Sequence, residues 1–235
     1  MSIKAQWTAN RYTITFANTG DEVMNPITQD YGTAITVPEE PDRTGYTFNG
    51  WIGMPEDGLM NAEDIEVFAD WSVNKNDITL DAGEGKFADD SSIFMEDDVP
   101  FGTVLSGIVP LEPTRDGYEF TGWVDAQGNP ATIPTTMPDE EINLTATWEI
   151  KEITVTFDAN GGKFADDSKE KDVTGEYGSE IEVPADPTRE GFNFKGWNGL
   201  PADGKMPKED ITVTAEWEAV VKTYTLTIDA AGGKV

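Results

Sequence analysis

Three stretches of this chain are versions of one another: Thr44-Gly45-Tyr46-Thr47-Phe48-Asn49-Gly50-Trp51, Asp116-Gly117-Tyr118-Glu119-Phe120-Thr121-Gly122-Trp123 and Glu190-Gly191-Phe192-Asn193-Phe194-Lys195-Gly196-Trp197. Each follows an arginine, at Arg43, Arg115 and Arg189, so the shared pattern is Arg-x-Gly-aromatic-x-Phe-x-Gly-Trp. The copies stand a little over seventy residues apart, and self-similarity at a fixed period means serial units rather than one large domain. A second pattern runs in step with the first. Ile65–Trp71, Ile142–Trp148 and Ile211–Trp217 are alternating runs that end in Trp, and Ile3–Trp7 is a shorter version near the start. At the other end, Tyr224–Lys234 matches Ile153–Lys163, the opening of the third unit. The expected organisation is a last strand of a truncated preceding repeat at 1–7, repeats at 8–73, 74–150 and 151–219, and the first strand and turn of a following repeat at 220–235. Met1 reads as a start added to a segment of a longer array.

Each repeat opens on a strand of period-two alternation: Tyr12, Ile14 and Phe16, then Ile78 and Leu80, then Ile153, Val155 and Phe157. A turn rich in Asn and Gly follows, as at Asp158-Ala159-Asn160-Gly161-Gly162, and the first repeat has a shorter return from it. Next comes a Gly-centred turn, at Tyr31-Gly32, Phe101-Gly102 and Tyr177-Gly178, and then a pair of closely spaced prolines. Pro38 and Pro41, Pro110 and Pro113, and Pro184 and Pro187 keep this connector extended or turned, with room for at most one helical turn. The aromatic motif reads as a strand with a phase problem. Tyr46, Phe48 and Gly50 fall on one face, which sends Trp51 to the other unless a bulge at Gly50 returns it. A bulge and a buried Trp are the expectation. Met60, Met137 and Met206 then begin a shared Met-x-x-Glu-acidic-Ile segment leading into the last strand. No flexible linker separates the repeats, so a semi-rigid array is expected.

The composition bounds what such an array can do. Sixteen basic residues against forty-five acidic ones give a formal charge of −29, a field that repels nucleic acid and anionic membrane surfaces and argues for a monomer. Cys and His are both absent, which removes disulfides, thiolate nucleophiles, imidazole bases and the usual zinc ligands. No apolar run approaches the roughly 18 residues of a membrane-spanning helix. Units this small hold marginal cores, so the aromatic motif must carry much of the stability. Two Trp per unit, each burying about 150–250 Å² at about 25 cal/mol per Å², are worth on the order of 8–12 kcal/mol gross. All seven Trp fall in the two repeated positions, as a structural requirement would place them.

The opening strand Ile153-Thr154-Val155-Thr156-Phe157-Asp158-Ala159-Asn160-Gly161-Gly162, the Pro-x-x-Pro connector, the aromatic motif and the terminal strand ending in Trp together resemble the Listeria–Bacteroides repeat, the internalin B-repeat-like module. The resemblance covers nearly the whole chain. It implies a mainly β fold: tandem small β-grasp-like units, each a mixed sheet with at most a short helical turn, in an elongated array. It further implies an extracellular place on a bacterial cell surface or wall, as spacer and sometimes as adhesive element, and it carries no catalytic residues.

Candidate sites are few. Asp89, Asp90, Asp166 and Asp167 at the hairpin tip have oxygens for calcium but match no calcium-binding loop, so a solvated acidic surface is the plain alternative and no metal or cofactor is expected. Arg43, Arg115 and Arg189 suit an internal ion pair or stacking on an aromatic face, with ligand contact as the alternative. Phe68 stands where the other repeats have Thr145 and Thr214, and it either covers a contact between repeats or is an exposed apolar spot. With an outward Trp51, Trp123 or Trp197, it is the candidate surface for a host-cell protein or glycan.

Overall fold

Alternating β-branched and aromatic residues become strands where one face can be buried against the neighbours of the same repeat. The computed structural model describes residues 2–227; Met1 and the expected turn beyond residue 227 lie outside the described residues. The strands are β1 (Arg11–Ala17), β2 (Ile27–Asp30), β3 (Tyr46–Ile52), β4 (Ile65–Val73), β5 (Lys75–Asp81), β6 (Ile93–Pro100), β7 (Tyr118–Val124), β8 (Pro130–Ala131), β9 (Ile142–Ile150), β10 (Glu152–Asp158), β11 (Glu170–Glu176), β12 (Phe192–Asn198) and β13 (Ile211–Ala219). They form three sheets in order along the chain, β2-β1-β4-β3, β6-β5-β9-β7-β8 and β11-β10-β13-β12. The opening and last strands of each repeat run parallel at the centre, for example Ile14 beside Ile65 and Val155 beside Ile211, and hairpin partners flank them. This is the β-grasp arrangement without its helix; a single 3-10 turn, Leu105–Gly107, is the only helical element among the described residues.

The protein divides into two compact units, Met1–Pro113 with Gly122–Ala146, and Thr114–Thr121 with Thr147–Val235. Each sheet buries one face. Ile14, Val67 and Met60 form the first core; Ile78, Leu80, Leu144, Leu105 and Met137 the second; Val155, Phe157, Val213 and Met206 the third. The repeated Met is therefore a core residue, and its backbone fastens the preceding aromatic-Gly turn. Gly102 donates to the Met137 carbonyl and Met137 to the Thr103 carbonyl, both at 2.9 Å, and Met60 and Met206 repeat this with Gly32 and Gly178. The acidic residue of the same segment has a use as well. Asp64 and Asp210 accept from the Thr13 and Thr154 N–H groups of the opening strands at 2.7 and 2.8 Å.

The bulge is present. Register shifts between Phe48 and Gly50 and between Phe194 and Gly196, where φ is 131° and 136°, return Trp51 and Trp197 to the core side. Those Trp rings are half-buried rather than enclosed, so their contribution falls short of full burial. Ile3–Trp7 differs from expectation: it forms no strand, and Trp7 is 92% exposed. A last strand lies between an opening strand and an aromatic-motif strand, and the described residues offer this segment neither partner.

Successive sheets meet through one recurring contact, which occurs once within each compact unit. In the first, Asn74 donates to the Gly45 carbonyl and accepts from Phe101 N–H, at 2.9 and 2.8 Å. The Phe101 ring lies over Gly45, where a built Cβ would stand 2.1 Å from Cδ1, and meets Tyr46 edge-on at 6.2 Å. In the second, Lys151 bridges Gly117 and Tyr177 in the same way, the built Cβ again stands 2.1 Å from the ring, and Tyr118 meets Tyr177 edge-on at 6.2 Å. Only glycine permits both the left-handed backbone, φ 79° and 74°, and this approach.

Candidate interaction surfaces

The aromatic motif builds a ladder of edge-on rings along one side of its sheet. In the third repeat Phe157, Trp197, Phe194 and Trp217 follow one another at centroid distances of 4.9, 5.3 and 5.6 Å. The first repeat matches it with Phe16, Trp51, Phe48 and Trp71 at 4.8, 5.3 and 5.5 Å. Edge-to-face pairs of this kind are favourable beyond the area they bury. The last Trp is anchored at the hairpin tip, with Trp71 Nε1 donating to the Asn18 carbonyl at 2.7 Å and Trp217 Nε1 to the Ala159 carbonyl at 3.1 Å. Arg43, Arg115 and Arg189 stack on Tyr46, Tyr118 and Phe192 at 3.7, 3.5 and 4.1 Å. Stacking is thus common to all three arginines, and Arg189 also donates to the Asn160 carbonyl at 3.2 Å.

An open groove of the third repeat runs past this ladder, lined by Arg189, Lys195, Asn198, Thr214 and Glu216 among others. Its polar walls follow from the outward positions of β12 and β13, where Asn198 pairs with Thr214. In the first repeat the corresponding pair is Ile52 and Phe68. Phe68 is 45% exposed and Ile52 58%, side by side on the outer face, with Glu66 and Asp70 on either side of Phe68 along β4. Sequence reasoning found Phe68 by its departure from Thr. It missed Ile52, which stands where the second repeat has Val124 and the third Asn198, so no departure of one repeat from the other two marked it.

At the hairpin tips the carboxylates bond inward. Asp89 accepts from the Ser91 N–H and hydroxyl at 3.0 and 2.7 Å, and Asp166 from those of Ser168 at 3.2 and 2.6 Å, with Lys171 at 3.0 Å. These serine bonds, and for Asp166 the lysine, hold both carboxyls below the usual carboxylate range. Asp167 pairs with Lys163 and raises its ammonium above its ordinary value. Asp90 occupies a left-handed turn position, φ 66°. Among the described residues no three His, Cys, Asp or Glu side chains gather as metal ligands, and no helix is long and apolar enough to cross a membrane.

Comparison with known proteins agrees with this geometry. The family model of the Listeria-Bacteroides repeat domain matches residues 12–83 and 154–216, and that of the divergent InlB B-repeat domain matches residues 113–152. Two proteins of Evansella cellulosilytica, whose names describe a Gly-rich membrane protein and a membrane protein, are each 28% identical over 99% and 92% of this chain. Internalin H of Listeria monocytogenes is 38% identical over 46% of it. The chain spans 27%, 33% and 20% of the length of these relatives. Since the first model alone covers more than half of the sequence, the protein belongs to the Listeria-Bacteroides repeat family, the internalin B-repeat-like modules of bacterial surface proteins.

Proposed function

We propose that this chain is a non-enzymatic, semi-rigid spacer, built from repeats at 8–73, 74–150 and 151–219, that holds other parts of a secreted or wall-attached protein away from a bacterial surface. The observation that carries this reading is the pair of glycine–aromatic contacts, in which the connecting residue is hydrogen-bonded on both sides. A connector held in that way cannot act as a free hinge. The repeated residues are accounted for by cores, turns and these contacts, and the charge of −29 favours a soluble monomer that avoids nucleic acid. Small-angle scattering tests the proposal: a spacer gives a maximum dimension well beyond that of a globule of this mass, and a globular profile would refute it.

A second reading, adhesion to a host-cell protein or glycan, is favoured by the exposed Phe68–Ile52 pair. Saturable binding of labelled protein to epithelial cells or a glycan panel, lost in Phe68→Thr, would establish it. Absence of any binding would leave the spacer.

A further inference from the structure

The second repeat carries an open sheet edge that the other repeats do not match. β6 is the outermost strand of its sheet, and no strand of the described residues lies beyond it. Ala82 N–H donates to the Ser92 carbonyl at 2.8 Å, and further along Phe94 stands beside Leu80 and Glu96 beside Ile78. The alternation of an antiparallel pair then turns the backbone N–H and C=O groups of Ile93 and Met95 toward the open edge. Their side chains lie on the outer face beside Asp81 and Thr79, 50% and 61% exposed. Sheet edges are normally blunted by shortness or by charge. β2 has four residues, and β11 carries Glu170 and Asp172 at the positions of Ile93 and Met95. At those two positions β6 has neither protection.

The other face of the same edge calls for a cation. In the third repeat Lys171 lies over the Phe164 ring at 5.5 Å and pairs with Asp166 at 3.0 Å. Phe94 takes the place of Lys171 in the second repeat, so Asp89, the counterpart of Asp166, keeps its bonds to Ser91 without a lysine among the described residues. An open pocket of about 230 Å³ lies there, lined by Phe87, Ala88, Phe94 and Pro110 and by the exposed Asp89. Long cationic side chains bury their stems in such places and leave the charge at the end. Glu96, Asp97 and Asp98 follow Met95, all exposed and without an ion pair among the described residues. We propose that the β6 edge docks an extended segment of another protein that adds as a strand, apolar beside Ile93 and Met95, with Lys or Arg on its opposite face reaching Asp89. Main-chain bonds hold a strand added in this way, and its alternate side chains select it. A second copy is a poor occupant, because its β6 offers Phe94 where a cation is called for and its charge of −29 repels the first. The proposal depends on neither reading given above, since its residues belong to the second repeat and Phe68 to the first.

The test uses the full chain and, as probe, a short peptide of alternating Val and Lys. The control peptide has the same composition with its Val and Lys residues in separate blocks, so both feel the same field. Amide NMR with hydrogen exchange should show saturable binding of the alternating peptide at physiological salt, with the Ile93 and Met95 N–H groups protected. Phe94→Lys supplies from within the cation that the third repeat uses, and should weaken binding about tenfold, as the loss of one charge-assisted contact does. Ile93→Glu with Met95→Asp gives β6 the residues that β11 folds with, and should also weaken binding although it adds negative charge. Phe68→Thr should change nothing. Absence of saturable binding, or equal binding of the two peptides, would overturn the proposal. So would binding that leaves Ile93 and Met95 unprotected or is lost in Phe68→Thr. Protection of both amides that rises with the concentration of the chain alone would put a second copy on the edge and overturn the assignment to another protein.

Discussion

At Gly117 a methyl group would have to share space with the Tyr177 ring, whereas at Gly191 it would meet none of the described residues within 4 Å. The backbone cost is common to both, since φ is 74° and 77°. Gly191→Ala should therefore lose only about 1–2 kcal/mol, and Gly117→Ala about 2–5 kcal/mol as overpacking is added, measured by urea denaturation. Equal losses would show that the ring yields freely. The arginines were legible at this scale because their aromatic partners lie three residues away in the motif. The glycine's purpose was not, because its covering ring belongs to the next repeat and no local pattern announces it. Acid behaviour is also a residue property. Asp89 and Asp166 are held below the usual carboxylate range, so what their ionised form contributes is present above the unfolded value, about 3.9. It is lost only as pH falls through the lower folded value. Carboxyl NMR titration should show both still ionised where most Asp side chains have protonated, and Ser168→Ala should move Asp166 back toward ordinary behaviour.

Among the elements, the aromatic-motif strand was the best foretold. Its alternation fails by one residue between Phe48 and Trp51, and a glycine stands at the failure, which is the signature of a bulge. At Gly196 a built Cβ meets nothing within 4 Å, so the need for glycine there is conformational, set by φ 136°. Gly196→Ala should cost about 1–3 kcal/mol and weaken the near-ultraviolet signal of the Trp197 environment, and no loss would mean the strand can realign. Ile3–Trp7 teaches the opposite lesson. Its residues spell a last strand as well as Ile211–Trp217 do, yet it forms none, because this strand is defined by two partners and not by its own alternation. Ile52 went unnoticed for a related reason: its meaning appears only when register sets it beside Phe68.

For the molecule as a whole, charge and connection pull in different directions. A formal charge of −29 spread over three small cores repels itself, and the Debye length falls from about 30 Å at 0.01 M salt to about 10 Å at 0.1 M. The melting temperature should rise with sodium chloride over that range. A flat response would mean the carboxylates are spaced widely enough to ignore one another. The contact that opposes this repulsion is divided unevenly between neighbours: one side supplies a bare glycine and the other a ring that is Phe in one case and Tyr in another. Such a fitting is generic. Phe101 and Tyr177 fill the same place over Gly45 and Gly117, so the joint asks its neighbour for an aromatic ring and is indifferent to the hydroxyl that distinguishes the two.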